Sequence, residues 1–232
     1  MIAAIFDLDG TLYTGHIVRG ITQHHQHHRV QRLPLYVYLV SHTALWPLWR
    51  LGLLSEAAAR DLWARHLGWP VRGWTPAAAE SAFRWVAEQY ILPRVRADVL
   101  ARLREHQAAG QRVILTSGTP EPLLAQIGKA IGVHEVVGTR LVEQDGRYTG
   151  AAHPPVCQGA GKVARLGTYL RSTGAIAWEQ SYAYADSYTD LPLLERVGHP
   201  VAVYPDVPLA ACARGRGWEI LGEETPTKDR RF

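Results

Sequence analysis

From about residue 94 onward, short apolar runs alternate with longer segments of helical spacing, and the apolar runs end in small, hydroxylic or acidic residues. Arg112-Val113-Ile114-Leu115-Thr116 ends in Ser117-Gly118-Thr119-Pro120, and the run Ser181 to Ala185 ends in Asp186-Ser187-Tyr188-Thr189-Asp190. Helical patterns lie at 95–109, 120–131, 160–172 and 207–214, and Val201-Ala202-Val203 reads as the last core strand. Val136 to Tyr148 reads as two strands joined by Asp145-Gly146, a pair that favours a hairpin turn. The N-terminus adds one more run, Ile2-Ala3-Ala4-Ile5-Phe6, closed by Asp7-Leu8-Asp9-Gly10. Strands alternating with helices build a parallel sheet covered on both faces. In such sheets the ligand site lies beyond the carboxyl ends of the strands. Asp7, Asp9, Ser117, Asp186 and Asp190 stand at those ends and are expected to converge.

Residues 13–92 have a different texture. Apolar residues recur there at helical spacing, as in Phe83, Val86, Ala87 and Tyr90, and Pro34, Pro70, Pro76 and Pro93 punctuate the pattern. Trp46, Trp49, Trp63, Trp69, Trp74 and Trp85 also fall in this segment. The division expected is an α/β, Rossmann-like core over 1–12 and 94–232, with an inserted all-helical unit over 13–93.

Composition narrows the choice of partners. A formal charge of +4 without a Lys/Arg run before the Lys228-Asp229-Arg230-Arg231 tail argues against nucleic acid. Cys157 and Cys212 have no metal-ligand spacing and suggest a reducing compartment. An N-terminal apolar run that meets a carboxylate at residue 7 is not a secretory segment, so a cytoplasmic location is expected. Arginine is the default cation here, with lysine only at 129, 162 and 228, which makes Lys162 after Gly159-Ala160-Gly161 conspicuous.

Four carboxylates in one pocket repel one another unless a cation is present. Magnesium suits such a site, because it takes a few carboxylate oxygens, waters and a phosphate oxygen. Lys162 at a helix start, the Ser117 hydroxyl and the Gly118 main chain suit a phosphate group. A carboxylate is itself a competent nucleophile. Asp7 is therefore expected to accept the phosphoryl group, while Asp9 protonates the leaving oxygen and later takes a proton from water.

These segments resemble the four motifs of the haloacid dehalogenase (HAD) superfamily. Phe6-Asp7-Leu8-Asp9-Gly10-Thr11-Leu12 is similar to the first, Val113 to Gly118 to the second, Gly161-Lys162 to the third, and Ala185 to Asp190 to the fourth. Their order and spacing agree over nearly the whole chain. The helical insertion lies where type 1 members carry a cap, and Thr189 to Glu195 with Pro200 to Val203 resembles the phosphoserine-phosphatase-like branch, subfamily IB. The resemblance implies that Asp7 is the nucleophile and Asp9 the acid/base. Magnesium is implied on Asp7, the Asp9 main-chain carbonyl and Asp186, with Asp190 behind them and phosphate on Ser117, Gly118 and Lys162. Dehalogenating members lack the second carboxylate, so Asp9 points to a phosphatase or a phosphomutase.

Two departures stand out. Ala185 replaces a frequent Gly, and His16 occupies the place where phosphoserine phosphatases carry a glutamate that holds the substrate's amino group. His16 is thus a candidate for substrate contact, and phosphoserine is a weaker expectation than a small phosphorylated metabolite in general. A phosphotransferase on the same core is the alternative reaction, and a partner-binding module without catalysis is a remote one. In the cluster His24-His25-Gln26-His27-His28, His24 and His28 share a helical face, and a surface or substrate-facing helix is expected rather than a metal site. The apolar stretch 33–54 is read first as core of the helical unit. A dimer face or membrane-facing surface is less favoured, and the latter would admit a lipid-like phosphate. The sequence leaves the oligomeric state open.

Overall fold

The computed structural model describes residues 1–30, 35–37, 39–40 and 66–222. Strands β1 (Ala3–Phe6), β2 (Arg112–Pro120), β3 (Glu135–Thr139), β6 (Tyr182–Ala185), β7 (His199–Val203) and β8 (Glu219–Leu221) form one sheet in the order β3-β2-β1-β6-β7-β8. All its neighbours pair parallel, with Ile5 opposite Ile114 and Phe6 opposite Tyr184. The chain leaves β1 toward β2 and β3, then returns to β1's other side for β6. The ends of β1, β2 and β6 therefore meet at the point where the order reverses.

Side chains alternate across each strand and divide the core into two layers. Phe6, Val113, Leu115 and Tyr184 point into one layer, with Val99 and Leu103 of α3 (Ala97–Ala108) and Leu123, Leu124 and Ile127 of α4 (Glu121–Ala130). Ile5, Ile114, Ala183 and Ala202 point into the other, with Leu166 and Leu170 of α5 (Ala160–Thr173), Leu193 and Leu194 of α6 (Leu191–Leu194), and Leu209 and Ala213 of α7 (Val207–Arg216). Strands buried on both faces explain why the runs read as continuous rather than alternating hydrophobicity. The Asp206 carboxylate starts α7 by accepting the Leu209 N–H at 2.9 Å. Gly217, in the left-handed conformation, ends it.

The structure revises two strand expectations. The region 136–148 holds nearly all of one strand and most of a hairpin, rather than two strands. β3 belongs to the main sheet, pairing Val137 with Thr116, whereas β4 (Leu141–Gln144) and β5 (Arg147–Ala152) form a separate antiparallel pair. Asp145 and Gly146 form their turn, and both have positive φ. A two-residue turn of this kind requires such a left-handed pair. β7 is also not the last strand. The three residues of β8 follow Gly217 and pair with β7, too short a run to show a period.

The intervening segment holds, among its described residues, α1 (Ile17–His28), α2 (Pro76–Trp85), a π-helical turn over Val86–Ile91 and short 3-10 turns at Trp69–Val71 and Leu92–Arg94. Thr75 caps α2 by accepting the Ala78 N–H at 3.2 Å, and Pro76 opens it. Gly20 lets α1 close on the π turn: a Cβ there would stand 2.7 Å from Tyr90 Cδ1 and 2.9 Å from Val86 Cγ1. The two connections to the sheet run side by side, with Thr14 N donating to Arg94 O at 3.0 Å and Arg96 N to Leu12 O at 2.9 Å. Gly73 N donates to Tyr148 O at 2.7 Å and Tyr148 N to Trp74 O at 2.9 Å, which ties β5 to the start of α2.

In the histidine-rich helix, expected to be a surface or substrate-facing one, His24 and His25 are buried. His25 stacks on Trp74, with ring centroids 5.4 Å apart, and its Nε2 lies 2.7 Å from Pro70 O. His24 packs edge-on against Trp85 at 5.4 Å. Burial holds both imidazoles below their ordinary pKa, His24 down to about 4. His27 and His28 stay exposed, and His24 and His28 do share a face, 4.6 Å between centroids. The stretch 33–54 lies outside the described residues except for 35–37, 39 and 40, as does the basic tail. Among the described residues no helix is long and apolar enough to cross a membrane.

Candidate active site

Asp7 follows β1 directly, and its N–H donates to Tyr184 O of the neighbouring strand at 2.9 Å. This main-chain bond extends the ladder by one residue and aims the carboxylate off the sheet's carboxyl edge. The chain then turns at Gly10, whose φ is +84°. Glycine is required there twice over: that φ disfavours any side chain, and a Cβ would meet Asp186 Oδ2 at 2.3 Å. The turn thus packs backbone against the carboxylate that ends β6.

The Asp7 carboxylate is held on both sides. Lys162 Nζ lies 2.7 Å from Oδ1, and Thr11 Oγ1 donates to Oδ2 at 3.1 Å. Thr11 Oγ1 also lies 3.2 Å from Asp186 Oδ1, so these two carboxylates face one hydroxyl. Lys162, on the first turn of α5, is fully buried and reaches Asp190 Oδ1 at 2.7 Å as well. Burial pulls the lysine's pKa down, but the charges of Asp190 and Asp7 outweigh it and raise it overall. Lys162 is therefore a permanent cation. Burial raises Asp190 against the opposing pull of Lys162.

Asp9 is half-buried on the other flank. Its Oδ1 accepts the Tyr13 hydroxyl and, at 2.9 Å, the Ile17 N–H that opens α1. Its Oδ2 lies 3.3 Å from Thr119 Oγ1 and 3.5 Å from Ser117 Oγ. Desolvation is the strongest influence on it. With the negative charge of Asp7, it pushes Asp9 up to about 6, although the bonds from Tyr13, Ile17 and Thr119 pull the other way. A carboxyl group poised there is able to carry a proton near neutral pH.

The structure thus gathers Asp7, Asp9, Ser117, Lys162, Asp186 and Asp190 at one end of the sheet. Ser117 is buried and partly exposed Gly118 follows it, with the Gln158 side chain lying over the glycine. His16 is half-exposed at the N-cap of α1, one residue before the Ile17 amide that reaches Asp9. Thr11, Tyr13 and Thr119 are also part of this arrangement and escaped the sequence reading. For Thr11 and Tyr13 the available signal was a hydroxyl four residues after a carboxylate, whereas Thr119 meets Asp9 from 110 residues away.

The donor set suits a hard divalent cation. Asp7, Asp186 and Asp190 are three buried carboxylates, Lys162 pairs with two of them, and Asp7 and Asp186 face a common hydroxyl. Clustered carboxylate oxygens of this kind are what magnesium would bind. Among the described residues no group of three His, Cys, Asp or Glu side chains is set as a cage for a metal ion. Magnesium does not need one, since it keeps waters and binds through one or two carboxylates.

A six-stranded parallel sheet with hydroxyls, carboxylates and a buried lysine gathered where its strand order reverses defines an α/β protein. Residues 4–195 match the haloacid dehalogenase-like hydrolases, and the chain belongs to that family. It is 34% identical over 166 residues to a probable phosphatase of Mycobacterium tuberculosis, covering 72% of this chain and 57% of that protein. It is 29% identical over 225 residues to a phosphoserine phosphatase of the same organism, covering 94% of this chain and 70% of the other. A crystal structure of a protein of unknown function from Bordetella pertussis shares the fold at a TM-score of 0.78 and 26% identity, covering 96% of this chain and 99% of that one. The chain spans little more than half the length of the first of these relatives.

Proposed function

We propose that this protein is a magnesium-dependent phosphatase that hydrolyses a small phosphomonoester through a phosphorylated Asp7. The observation that supports this best is the placement of Asp7 between Lys162 and Thr11, with Asp9 on its far side poised near pH 6. Asp7 attacks phosphorus, forming a carboxylate–phosphorus bond as the bond to the substrate's oxygen breaks, and Asp9 gives that oxygen its proton. Water then attacks the acyl phosphate, Asp9 takes back a proton, and inorganic phosphate leaves with Asp7 restored. Ser117, the Gly118 main chain and Lys162 hold the phosphoryl oxygens. Asp190 fixes Lys162 through its ion pair. Asp7, Asp186 and the Asp9 carbonyl would hold magnesium, which would supply positive charge to offset that of the transferring phosphoryl group.

The described helices of the inserted segment, α1 and α2, act as part of a cap that contributes substrate contacts such as His16 and excludes bulk water from the acyl phosphate. The relatives support a small phosphorylated substrate, since a phosphoserine phosphatase aligns with 94% of this chain.

Phosphate release from phosphoserine, histidinol phosphate, phosphocholine, sugar phosphates, a lysophosphatidate and p-nitrophenyl phosphate, with magnesium and with EDTA, tests the reading. Release that requires magnesium, and one natural compound well above the rest, is the expected result. No release from any of them, the aryl phosphate included, overturns it.

A further inference from the structure

Asp9 is not held symmetrically. Oδ1 receives the Tyr13 hydroxyl and the Ile17 amide at 2.9 Å. Oδ2 has two hydroxyls near it, but each hydroxyl has one proton to give. Ser117 Oγ is closer to Thr119 Oγ1, at 3.1 Å, than to Asp9 at 3.5 Å, so its proton goes to the threonine. Thr119 is left as the donor to Oδ2, over a longer 3.3 Å. Two donors therefore fasten Oδ1, while Oδ2, on the side of Ser117 and its phosphate-binding loop, is lightly held. An oxygen that accepts two hydrogen bonds is the poorer place for a proton, and its lightly bonded twin is the better one.

The Tyr13 ring is completely buried. Its main chain is gripped from both sides. Tyr13 bridges to Val95, and the flanking residues Leu12 and Thr14 hydrogen-bond to Arg96 and Arg94 of the returning connection. The phenol therefore comes from a stiff position in the connection that joins the sheet to α1.

We infer that Tyr13 is a positioning residue for Asp9: with the Ile17 amide it anchors Oδ1, and so presents Oδ2 toward the leaving oxygen and the attacking water. This rests on the reading of Asp9 as the acid/base. It adds that the proton carrier is chosen by a residue outside the segments that resemble the family's motifs, at the connection into the helical segment.

The test compares Tyr13→Phe, Asp9→Asn and the double variant on two substrates. One is an alkyl phosphomonoester, whose leaving oxygen needs a proton, and the other is p-nitrophenyl phosphate, whose leaving oxygen does not. kcat/KM reports the steps up to phosphorylation of Asp7. Tyr13→Phe is expected to lower kcat/KM on the alkyl ester about 10- to 100-fold, and at least ten times more than on the aryl ester. In the Asp9→Asn background it should lower it by less than about threefold, because two residues acting through one group are non-additive. An equal loss on both substrates, no loss, or full additivity with Asp9→Asn overturns the positioning role. If Asp9→Asn itself shows no dependence on the leaving group, the acid/base reading fails as well, which separates the two. Equal thermal unfolding of Tyr13→Phe and wild type, the ring being retained, keeps a folding defect from imitating the result.

Discussion

Lys162 Nζ lies 2.7 Å from Asp7 Oδ1 and joins two segments 155 residues apart in a buried ion pair. Removing one member of such a pair leaves the other charge without its partner in a poor solvent for ions. Asp190 shares the same lysine, so the loss falls on two carboxylates at once.

Lys162→Met should therefore cost both function and folding. We expect phosphate release to fall at least 100-fold and unfolding free energy to drop by about 3 kcal/mol. Urea denaturation of the two proteins measures this. An unchanged midpoint with unchanged slope would show that the pair carries no folding energy.

Asp7→Asn should abolish turnover while leaving the fold intact, because the amide keeps the shape and Lys162 retains Asp190. Mass spectrometry of the quenched wild-type reaction should show one phosphoryl group on Asp7 and none in the variant. Turnover near the wild-type level in Asp7→Asn would remove the proposed nucleophile.

Asp186→Asn addresses the cation. Thr11 still links position 186 to Asp7, but one formal charge is gone from the oxygen cluster. The magnesium concentration for half-maximal rate should rise at least tenfold with the fold unchanged, as magnesium binds through few carboxylates. An unaltered magnesium titration places the metal elsewhere.

Gly10→Ala tests the packing of the first turn on Asp186. A methyl group there would meet Asp186 Oδ2 at 2.3 Å, on a backbone with φ +84°. Asp186 must move, so we expect activity to fall at least 100-fold and stability by about 1–3 kcal/mol. Full activity in this variant would mean that the loop and Asp186 are not coupled.

His24 gives a pH dependence of stability. Its pKa is lowered from 6.5 to about 4 by burial first, then by His25 and His28. A base with a depressed pKa in the folded state takes up its proton more readily when unfolded, so stability is full above about pH 6.5. It declines as pH falls from about 6.5 to 4, by about 2 kcal/mol once solvent screening is allowed for, and is constant below that. His24→Gln should flatten this limb relative to wild type. Parallel curves for the two proteins between pH 7 and 4 would contradict it.

Much of the site was legible in the sequence because parallel α/β topology turns strand ends into neighbours. Asp7 and Asp9 after one apolar run and Asp186 and Asp190 after another needed only the rule that the carboxyl ends converge. Lys162 was visible as a rare lysine behind a glycine-rich turn. The hairpin turn at Asp145-Gly146 was legible for a local reason, since that pair tolerates left-handed φ at both positions. β8 was not, because three residues carry no period, and β3 merged with the hairpin because its separation depends on pairing with β2. The burial of His24 and His25 was not legible, since the tryptophans that bury them, Trp74 and Trp85, lie about fifty to sixty residues away.

What the sequence determined by itself was therefore the kind of fold and the chemical groups at its edge, both set by local period and by residues in a fixed order. What only the tertiary structure decided was how those groups are shared. Thr11 faces both Asp7 and Asp186, Lys162 joins Asp7 to Asp190, and Tyr13 takes one oxygen of Asp9 and leaves the other. Contacts of this kind depend on side-chain direction and on segments far apart in the chain. A pattern of spacings contains neither.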